Sequence, residues 1–442
     1  MSNTKVALTI AGSDSGGGAG IEADIRTFSA LGMHPTCAVT CITSQNTMGL
    51  QDSTEVPLSH ISSQIYAVCT DMDVKWAKTG MLSSPEIIDV VASEVKKHRL
   101  KLVVDPVMAA EAGGSLLAES ALSILKEKLL PLAFVVTPNI YEAKALSGVT
   151  INTWEDGQKA ARRIAKLGVD NVIITGGHFD ASDLVYESHN DTFTTISSRF
   201  VEGGTHGSGC TYSAALLVYL SNELRVPEAA RCAKRFVENA ISRSTDVGMG
   251  VSPVDPLAFL RNSAAKYHTL VNTTEALDIL LSEKAFSKLI PEVGCNIAMA
   301  TPEAETISDV AGVHGRITRS KDRPVASGCV GFGASKHVGS VVLAATHSNP
   351  EIRACLNVKY SKEILAACSQ MGFGIASFER KDEPSDVSTM DWGTAYAIEK
   401  YGKVPEIIYD EGDIGKEPMI RLLGKNATDV VEMALRIVER IN

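Results

Sequence analysis

Short apolar segments alternate with longer amphipathic ones over the first 250 residues. The apolar segments are rich in β-branched residues, and most are continuous, which is typical of strands buried on both faces. They predict strands at residues 6–10, 38–43, 102–104, 134–137 and 172–175. The amphipathic segments predict helices at residues 86–98, 120–129 and 157–167. This alternation predicts a parallel sheet with right-handed crossovers, with ligands beyond the carboxyl ends of its strands.

The pattern changes near residues 248–270, where two glycines and two prolines interrupt it. Apolar spacing then predicts an amphipathic helix over 273–290, with Asn272 and Glu275 as its capping signal and Pro291 as its end. Further on, the pattern predicts strands at residues 357–360, 374–378 and 406–409 and a final helix from Thr428. We therefore predict an α/β domain over residues 1–262 and a second, smaller α/β domain over residues 268–442.

Composition narrows the class of protein. Hydrophobic residues make up 45% and charged residues 21%, which are globular proportions. The net charge of -10 gives no sign of a basic, nucleic-acid-binding face. We expect no membrane span or secretory signal, and the nine cysteines, which form no paired pattern, favour a reducing compartment. The sequence predicts a cytoplasmic enzyme acting on small molecules, with neither nucleic acid nor membrane as partner.

A glycine-rich turn at residues 205–210 leads straight into a long apolar segment. If that segment is a helix, the N–H groups of Gly207, Ser208, Gly209 and Cys210 point out of its start and form an anion hole for a transferring phosphoryl group. The same field favours the thiolate of Cys210, which could take the proton of an attacking hydroxyl group. The alternative is a small core residue under a helix cap.

A second glycine-rich loop, residues 11–20, follows the first predicted strand. Its spacing matches neither a P-loop nor the dinucleotide fingerprint, so by itself it also fits a generic tight turn. Two carboxylates, Asp105 and Glu142, follow later strands and suit Mg²⁺ held by few protein ligands. A solvated loop charge or a helix cap is the alternative for each.

Together these segments resemble hydroxymethylpyrimidine/phosphomethylpyrimidine kinase (ThiD) of the ribokinase-like superfamily. The resemblance covers about residues 3–258 and rests on motifs in a fixed order, at residues 11–24, 44–47, 79–82, 103–108, 137–142, 176–178 and 204–210. It implies a three-layer αβα fold with a mostly parallel sheet. It also implies that ATP phosphorylates the hydroxymethyl oxygen and then the resulting phosphate, with Mg²⁺ as cofactor.

The same resemblance implies roles for individual residues. The aminopyrimidine would contact Gly12, Asp24, Gln45 and Met81, and Cys210 stands where sugar kinases carry a catalytic aspartate. The ATP contacts would come from Asn139, Thr175 and Gly177. Thr175 stands where many bacterial relatives carry lysine. Another cation or Mg²⁺ must then cover the ATP phosphates, or turnover is slower.

The second half of the chain carries many cations in polar segments, beside glycine-containing turns at residues 331–337 and 412–421. Such turns suit phosphate, and arginine favours bidentate phosphate contacts. For any one of these cations, a solvated surface charge is the alternative. The candidates for a site are Arg316, Ser335, His337, Arg353, Lys359, Lys416 and Arg421.

Residues 270–442 resemble the ThiN-type thiamine-phosphate synthase domain. The resemblance rests on phrases at residues 291–296, 309–317, 331–337, 357–360, 378–384, 390–393 and 415–424. It implies coupling of hydroxymethylpyrimidine diphosphate to a thiazole phosphate, with release of pyrophosphate. Within it, Arg316 would grip a phosphate, and His337 would donate to the leaving diphosphate or orient it.

Two other interpretations remain open at this point. The C-terminal domain could be a non-catalytic sensor that binds thiamine phosphate, as ThiN-type domains joined to DNA-binding helices do, although this chain has no such helix-turn-helix pattern. The first half could instead be a pyridoxal-type kinase, a close relative in the superfamily. In each case we expect a homo-oligomer whose partners are small molecules.

Overall fold

The computed structural model describes residues 4–108, 119–176, 181–380, 389–413 and 415–441. It divides into two compact units, Met1–Leu260 and Arg261–Asn442. The predicted ATP contact Gly177 lies outside the described residues. No helix in the described ranges is both long and apolar enough to cross a membrane.

A large, mostly parallel sheet forms the centre of the first unit. Its strand order is β3-β2-β1-β4-β5-β6-β7-β8-β9, and all neighbours from β2 to β7 are parallel. The strands are β1 (Val6–Asp14), β2 (His34–Asn46), β3 (Gly49–Glu55), β4 (Val74–Thr79), β5 (Lys101–Val104), β6 (Ala133–Val136), β7 (Asn171–Ile174), β8 (Asp183–Glu187) and β9 (Thr192–Ile196).

Helices cover both faces of this sheet. On one face pack α2 (Leu58–Asp71), α3 (Pro85–His98), α4 (Glu119–Ile124), α5 (Ile140–Ser147) and α6 (Trp154–Ala165). On the other pack α1 (Gly20–Ala30), α7 (Ser208–Ser221) and α8 (Val226–Ser242). Successive strand residues serve opposite faces: Leu102 and Val104 join the first core, and Val103 joins the second. The helices on both faces confirm the expected three-layer αβα fold. A sheet that is covered on both sides needs continuous apolar strands, which explains the pattern in the sequence.

The helix predicted over residues 120–129 differs from the structure. The α-helix ends at Ile124, and a π-helical turn continues over Leu125–Leu129. Leu125 and Leu129 are both buried by that turn. The wider turn keeps both leucines in the core, a change of helix type that apolar spacing does not reveal.

The second unit has a mostly antiparallel sheet of order β14-β11-β10-β15-β18-β17-β16, with β16 and β17 parallel, and a separate β12-β13 hairpin. Its strands are β10 (Ile297–Ala300), β11 (Val310–Val313), β12 (Ile317–Ser320), β13 (Arg323–Ala326), β14 (Val330–Phe332), β15 (Ala354–Lys359), β16 (Ile375–Ser377), β17 (Ile407–Asp410) and β18 (Met419–Gly424).

Helices again pack on both faces, which makes this unit a second α/β domain. One core includes residues of α9 (Ala258–Ser282), α11 (Lys362–Gln370) and α13 (Ala427–Ile441). The opposite core includes residues of α10 (Lys336–Ser348) and α12 (Thr389–Tyr401).

The helix predicted over residues 273–290 is wrong at both ends. Helix α9 begins at Ala258, passes through Asn272 and stops at Ser282, and Lys284–Leu289 is a 3-10 helix. Asn272 is no cap of its own helix: its Oδ1 accepts the N–H of Ala427, 2.9 Å away, at the start of α13. The capping side chain of Asn272 therefore accepts a hydrogen bond from α13, a helix that lies far along the chain.

Candidate functional sites

A cavity of about 140 Å³ lies at the carboxyl ends of the central strands of the first unit. The ends of β1, β4 and β5 meet the start of α7 there, as expected for a parallel sheet. Its walls include Gly12, Asp14, Gly20, Gln45, Met81, Asp105, His206, Gly207, Gly209 and Cys210. The predicted residues Gly12, Gln45 and Met81 are therefore brought together with the anion-hole candidates.

The first glycine-rich loop wraps around the carboxylate of Asp14. This carboxylate accepts the N–H groups of Gly16, Gly18 and Ala19 at 2.8–3.0 Å. His206 Nε2 lies 2.9 Å from Asp14 Oδ2, and both side chains are buried. Burial raises the pKa of Asp14, but the bonds to His206 and the backbone outweigh it and lower the pKa overall. Asp14 and His206 thus tie the loop to the segment before α7, a role the sequence analysis missed.

Close backbone approach explains why glycine stands at two of these positions. A Cβ on Gly18 would overlap the imidazole of His206, and one on Gly207 would overlap the carbonyl of Gly18. Gly207 also has φ +82°, in the left-handed region that favours glycine. The two glycine-rich turns are therefore packed directly against each other.

The start of α7 presents amide donors to the cavity. Among the described residues no group accepts the N–H of Gly207, Gly209 or Cys210, whereas the N–H of Ser208 donates to the carbonyl of Thr205 at 2.9 Å. The predicted anion hole is thus smaller than expected by one donor, since Ser208 is already used. The three open N–H groups and the helix dipole favour an anion at this point.

The surroundings of Cys210 disfavour the expected thiolate. Burial raises the pKa of Cys210 to about 12, although the Lys78 ammonium acts in the opposite direction. The side chain is therefore a neutral thiol at pH 7. At this position on the cavity wall, desolvation of the thiolate outweighs the stabilisation that the Lys78 charge provides.

Beneath the cavity lies a buried ion pair that the sequence analysis missed. Lys78 Nζ is 2.9 Å from both oxygens of Asp24 and 3.8 Å from Asp105 Oδ2. Burial alone lowers the pKa of Lys78, but the charges of Asp24 and Asp105 raise it above its ordinary value. Thr9 Oγ1 donates to Asp24 at 2.6 Å. The sequence offered no clear signal for Lys78, because the short strand β4 contains two lysines and was not predicted.

Asp24, which was predicted to contact the aminopyrimidine, does not reach the cavity wall. Its side chain is fully buried, it is bonded to Lys78 and Thr9, and it does not line the cavity. Its position supports Lys78 instead. Gly12 stays at the wall, where an added Cβ would crowd the sulfur of Met81.

The two predicted metal ligands differ in their surroundings. Asp105 lines the cavity and accepts the hydroxyl of Ser213 at 3.0 Å. Glu142 forms a capping box with Asn139 at the start of α5, and burial, followed by the charge of Asp105, raises its pKa to about 8. Burial also raises the pKa of Asp105. Asp105 therefore faces the cavity and Glu142 caps its helix, while Mg²⁺ binding by either carboxylate stays a prediction.

The predicted ATP contacts Asn139 and Thr175 lie side by side. They form an isolated parallel bridge, and the N–H of Thr175 donates to the carbonyl of Pro138 at 2.9 Å. Asn139 Oδ1 is occupied by the N–H of Glu142. Contact of either residue with ATP stays a prediction.

A larger cavity, of about 560 Å³, opens in the second unit. Five of the seven predicted residues line it together: Arg316, Ser335, His337, Lys416 and Arg421. Beyond these candidates, the wall also includes the polar or charged residues Asn296, Lys336, Asn357, Arg380 and Glu417.

The start of α10 forms one side of this cavity. Ser335 is the N-cap residue, and Lys336 and His337 are the first helical residues. The N–H groups of Lys336, His337 and Val338 donate to no described residue. Arg316, whose guanidinium donates to the carbonyl of Val293, is exposed at the same cavity. The start of α10 therefore forms an anion site together with the side chains of Lys336, His337 and Arg316.

A buried carboxylate holds two arginines at another side of the cavity. Asp410 accepts two bonds from Arg380, at 2.6 and 3.2 Å, and one from Arg421, at 2.7 Å. Burial raises the pKa of Asp410, but the two guanidinium groups outweigh this and lower it. Asp410 thus fixes the direction of Arg380 and Arg421 as they face the cavity.

Two predicted residues lie elsewhere. Arg353 does not line the cavity, and its guanidinium donates to the carbonyl of Ala300 at 3.3 Å. Lys359, at the end of β15, is also absent from the wall. Neither residue is a direct cavity contact, because charge in the sequence does not reveal where a side chain lies. Contact of either residue with a substrate stays a prediction.

A kinase-type αβα unit and a second α/β unit with a cation-lined cavity define a two-domain enzyme of phosphorylated small molecules. Residues 14–255 match the model of phosphomethylpyrimidine kinase, and residues 272–436 match that of thiamine-phosphate synthase ThiN. The bifunctional thiamine biosynthesis protein ThiDN of Methanocaldococcus jannaschii is 35% identical over 445 residues, with 99% of each chain covered. The chain belongs to this ThiDN family.

Other relatives match the first unit alone. The hydroxymethylpyrimidine/phosphomethylpyrimidine kinase of Haemophilus influenzae is 45% identical, covering 59% of this chain and all of that one. The solved ADP complex of Bacillus subtilis pyridoxal kinase has a TM-score of 0.54 and 37% identity, covering 58% of this chain and 99% of that one. The ribokinase-like fold is therefore shared with kinases for two different heterocycles.

Proposed function

We propose that this protein makes thiamine phosphate in two stages, one in each unit. The first unit phosphorylates hydroxymethylpyrimidine and then its monophosphate at the expense of ATP. The second couples the resulting diphosphate to a thiazole phosphate and releases pyrophosphate. The observation that carries the proposal is that each unit has a cavity at the start of a long helix with open amide donors. Several cations line the larger cavity, and the buried Lys78 lies beneath the smaller one.

In the first stage, the amides of Gly209 and Cys210 stabilise the charge of the transferring phosphoryl group. Phosphoryl transfer passes through a loose transition state, so positioning and charge stabilisation supply most of the catalysis. Lys78 adds a fixed positive charge beneath the cavity. Because the Cys210 thiol is neutral, its contribution is the backbone N–H and the shape of the wall rather than a resting base.

Mg²⁺ bound with ATP would neutralise the phosphate oxygens. Asp105 fits this ion, since its carboxylate lines the cavity and is held by the Ser213 hydroxyl. The ATP phosphates have a greater need for a metal cation here, because Thr175 brings no charge to them. Mg²⁺ held by Asp105 would then supply the positive charge that lysine supplies in many bacterial relatives.

In the second stage, the bond between the pyrimidine methylene carbon and the diphosphate oxygen breaks, and the thiazole nitrogen forms the new bond to that carbon. Arg316, Lys336 and His337 at the start of α10 bind the leaving diphosphate. Arg380, Arg421 and Lys416 form a second group of cations in the same cavity. Two groups of cations match two anionic substrates.

The test is to incubate the full chain with hydroxymethylpyrimidine, ATP, Mg²⁺ and thiazole phosphate and to measure thiamine phosphate. A parallel reaction without ATP receives the pyrimidine diphosphate directly. Product in both reactions supports two catalytic units. Failure of the second reaction alongside tight binding of thiamine phosphate would instead identify the C-terminal unit as a sensor.

The match to pyridoxal kinase favours one second candidate for the first unit. Pyridoxal should therefore be offered as competitor to hydroxymethylpyrimidine. A kcat/KM for pyridoxal above that for the pyrimidine would reassign this unit. Cytoplasmic location and homo-oligomerisation stay predictions, to be checked by fractionation and by light scattering.

A further inference from the structure

Two buried asparagines line the larger cavity side by side, and they differ in how fully their amides are used. Asn296 precedes β10, and Asn357 lies in β15. The Asn296 Nδ2 group donates to the carbonyls of Val313 and Gly315 at 2.9 and 3.0 Å, and its Oδ1 accepts the N–H of Val313 at 3.0 Å. Asn296 is therefore saturated and has a structural role.

The orientation of the Asn357 amide is fixed by the backbone. Its Oδ1 accepts the N–H of Asn296 at 2.8 Å. A flipped amide would place two donors against each other there, so the oxygen must face Asn296. The Nδ2 group consequently points the other way.

The Nδ2 group of Asn357 has a poor partner. In the described part of the chain its acceptor is the thioether sulfur of Met419, 3.2 Å away. A thioether is a weak acceptor, while an amide Nδ2 carries two donors. The side chain is only 9% exposed, so bulk water does not readily satisfy it. A buried donor on a cavity wall without an oxygen or nitrogen acceptor points to a ligand that supplies one.

We propose that Asn357 Nδ2 donates a hydrogen bond to a ring nitrogen of the aminopyrimidine, and so selects this heterocycle in the second unit. The inference rests on the proposed function and names a specificity-determining residue for it. The thiazole nitrogen is unsuitable as the acceptor, because its lone pair must attack the methylene carbon. The pyrimidine ring nitrogens form no bond in the reaction and are free to accept.

The neighbouring strand supports this placement. Asn357 pairs directly with Arg421 of β18, and both residues line the cavity. Side chains at paired positions of antiparallel strands are close neighbours. The amide donor proposed for the pyrimidine ring therefore lies beside an arginine that can bind phosphate. This arrangement is expected for a ligand in which a heterocycle is joined to a phosphate.

The variant that tests the proposal is Asn357→Asp. It keeps an oxygen for the N–H of Asn296 and replaces the Nδ2 donor with an acceptor, so the fold is retained while the contact is lost. Its probes are thiamine phosphate and two analogues in which one or the other pyrimidine ring nitrogen is CH. Asn349→Asp, an exposed position outside the cavity wall, controls for the added charge.

Calorimetry on the full chain measures the affinity ratio of thiamine phosphate to each analogue. The wild type and Asn349→Asp should prefer thiamine phosphate over one analogue by about tenfold. Asn357→Asp should abolish that preference. The added charge cancels in the ratio, because the probes carry the same phosphate. Equal ratios in wild type and Asn357→Asp would overturn the proposal. Since binding is measured without turnover, the result does not depend on whether the second unit forms thiamine phosphate.

Discussion

Lys78 and Asp24 show how a single buried pair can support a site without touching the substrate. Both side chains are fully buried, so water stabilises neither charge. Each charge is stabilised only by its partner and by the polar groups around it. Removing one partner leaves an uncompensated charge in the core, whereas removing both charges together does not.

Lys78→Met should therefore lower the free energy of unfolding by about 3–5 kcal/mol. The double variant Lys78→Met/Asp24→Asn should recover most of that loss and yet remain poor in phosphoryl transfer, since the positive charge beneath the cavity is missing. Urea unfolding and the kinase assay measure the two effects. A double variant as unstable as the single one would contradict the ion pair as the cause.

Single residues were the hardest part to predict. Gln45 and Met81 were found through the ordered motifs, and both line the smaller cavity. Lys78 and Asn357 were not selected, because the burial of a single polar residue in a strand leaves no periodic signal. Their roles depend on partners far away in sequence, such as Asp24 for Lys78.

Helix α7 and the glycine-rich loop form one packed element. The loop carbonyl of Gly18 contacts the backbone at Gly207, and His206 packs against Gly18. By contrast, a Cβ on Gly209 would meet nothing within 4 Å and would point into open space at the cavity.

The contrast between Gly18 and Gly209 allows the effects of packing and of ligand access to be tested separately. Gly18→Ala should lower both the melting temperature and kinase activity, since the loop must move away from His206. Gly209→Ala should keep the melting temperature and lower kcat for phosphoryl transfer at least tenfold, because its methyl group occupies the phosphate position. Scanning calorimetry and steady-state kinetics check both variants. Full activity in Gly209→Ala would show that the anion does not bind at this turn.

Elements with a dominant local signal were predicted well. Strands β1, β2, β5, β6 and β7 of the first unit appeared as continuous apolar runs because both faces are covered. The central strand β4, which carries two lysines, was not predicted. The helix predicted over 273–290 failed because its capping signal at Asn272 serves α13 instead. The antiparallel order of the second sheet was not predicted, because it depends on pairing between segments that are distant in the chain.

At the scale of the whole molecule, buried thiols link stability to pH. Burial raises the pKa of Cys295 and Cys355 to about 12 and that of Cys368 to about 11. The unfolded chain loses these protons above about pH 9, while the folded chain keeps them. The stabilisation is thus complete below pH 9 and decreases as the pH rises towards 11–12.

The unfolding free energy of the second unit should fall above pH 9 by about 1.4 kcal/mol per pH unit for each of these thiols. Cys368→Ala should reduce this slope by one such increment. Cys329→Ala, at an exposed position, should leave the slope unchanged. Denaturant titrations between pH 8 and 10.5 measure the slope, and an identical slope in Cys368→Ala would contradict the assignment.

The central claim is that two separate sites carry out two consecutive reactions. The most direct measurement compares Gly209→Ala with Arg316→Ala, using Lys359→Ala as a control outside the larger cavity. Gly209→Ala should form thiamine phosphate normally from supplied diphosphate and slowly from hydroxymethylpyrimidine and ATP. Arg316→Ala should accumulate the diphosphate and form no thiamine phosphate from either source. If each variant lost both activities equally, the division of the chemistry between the two units would be contradicted.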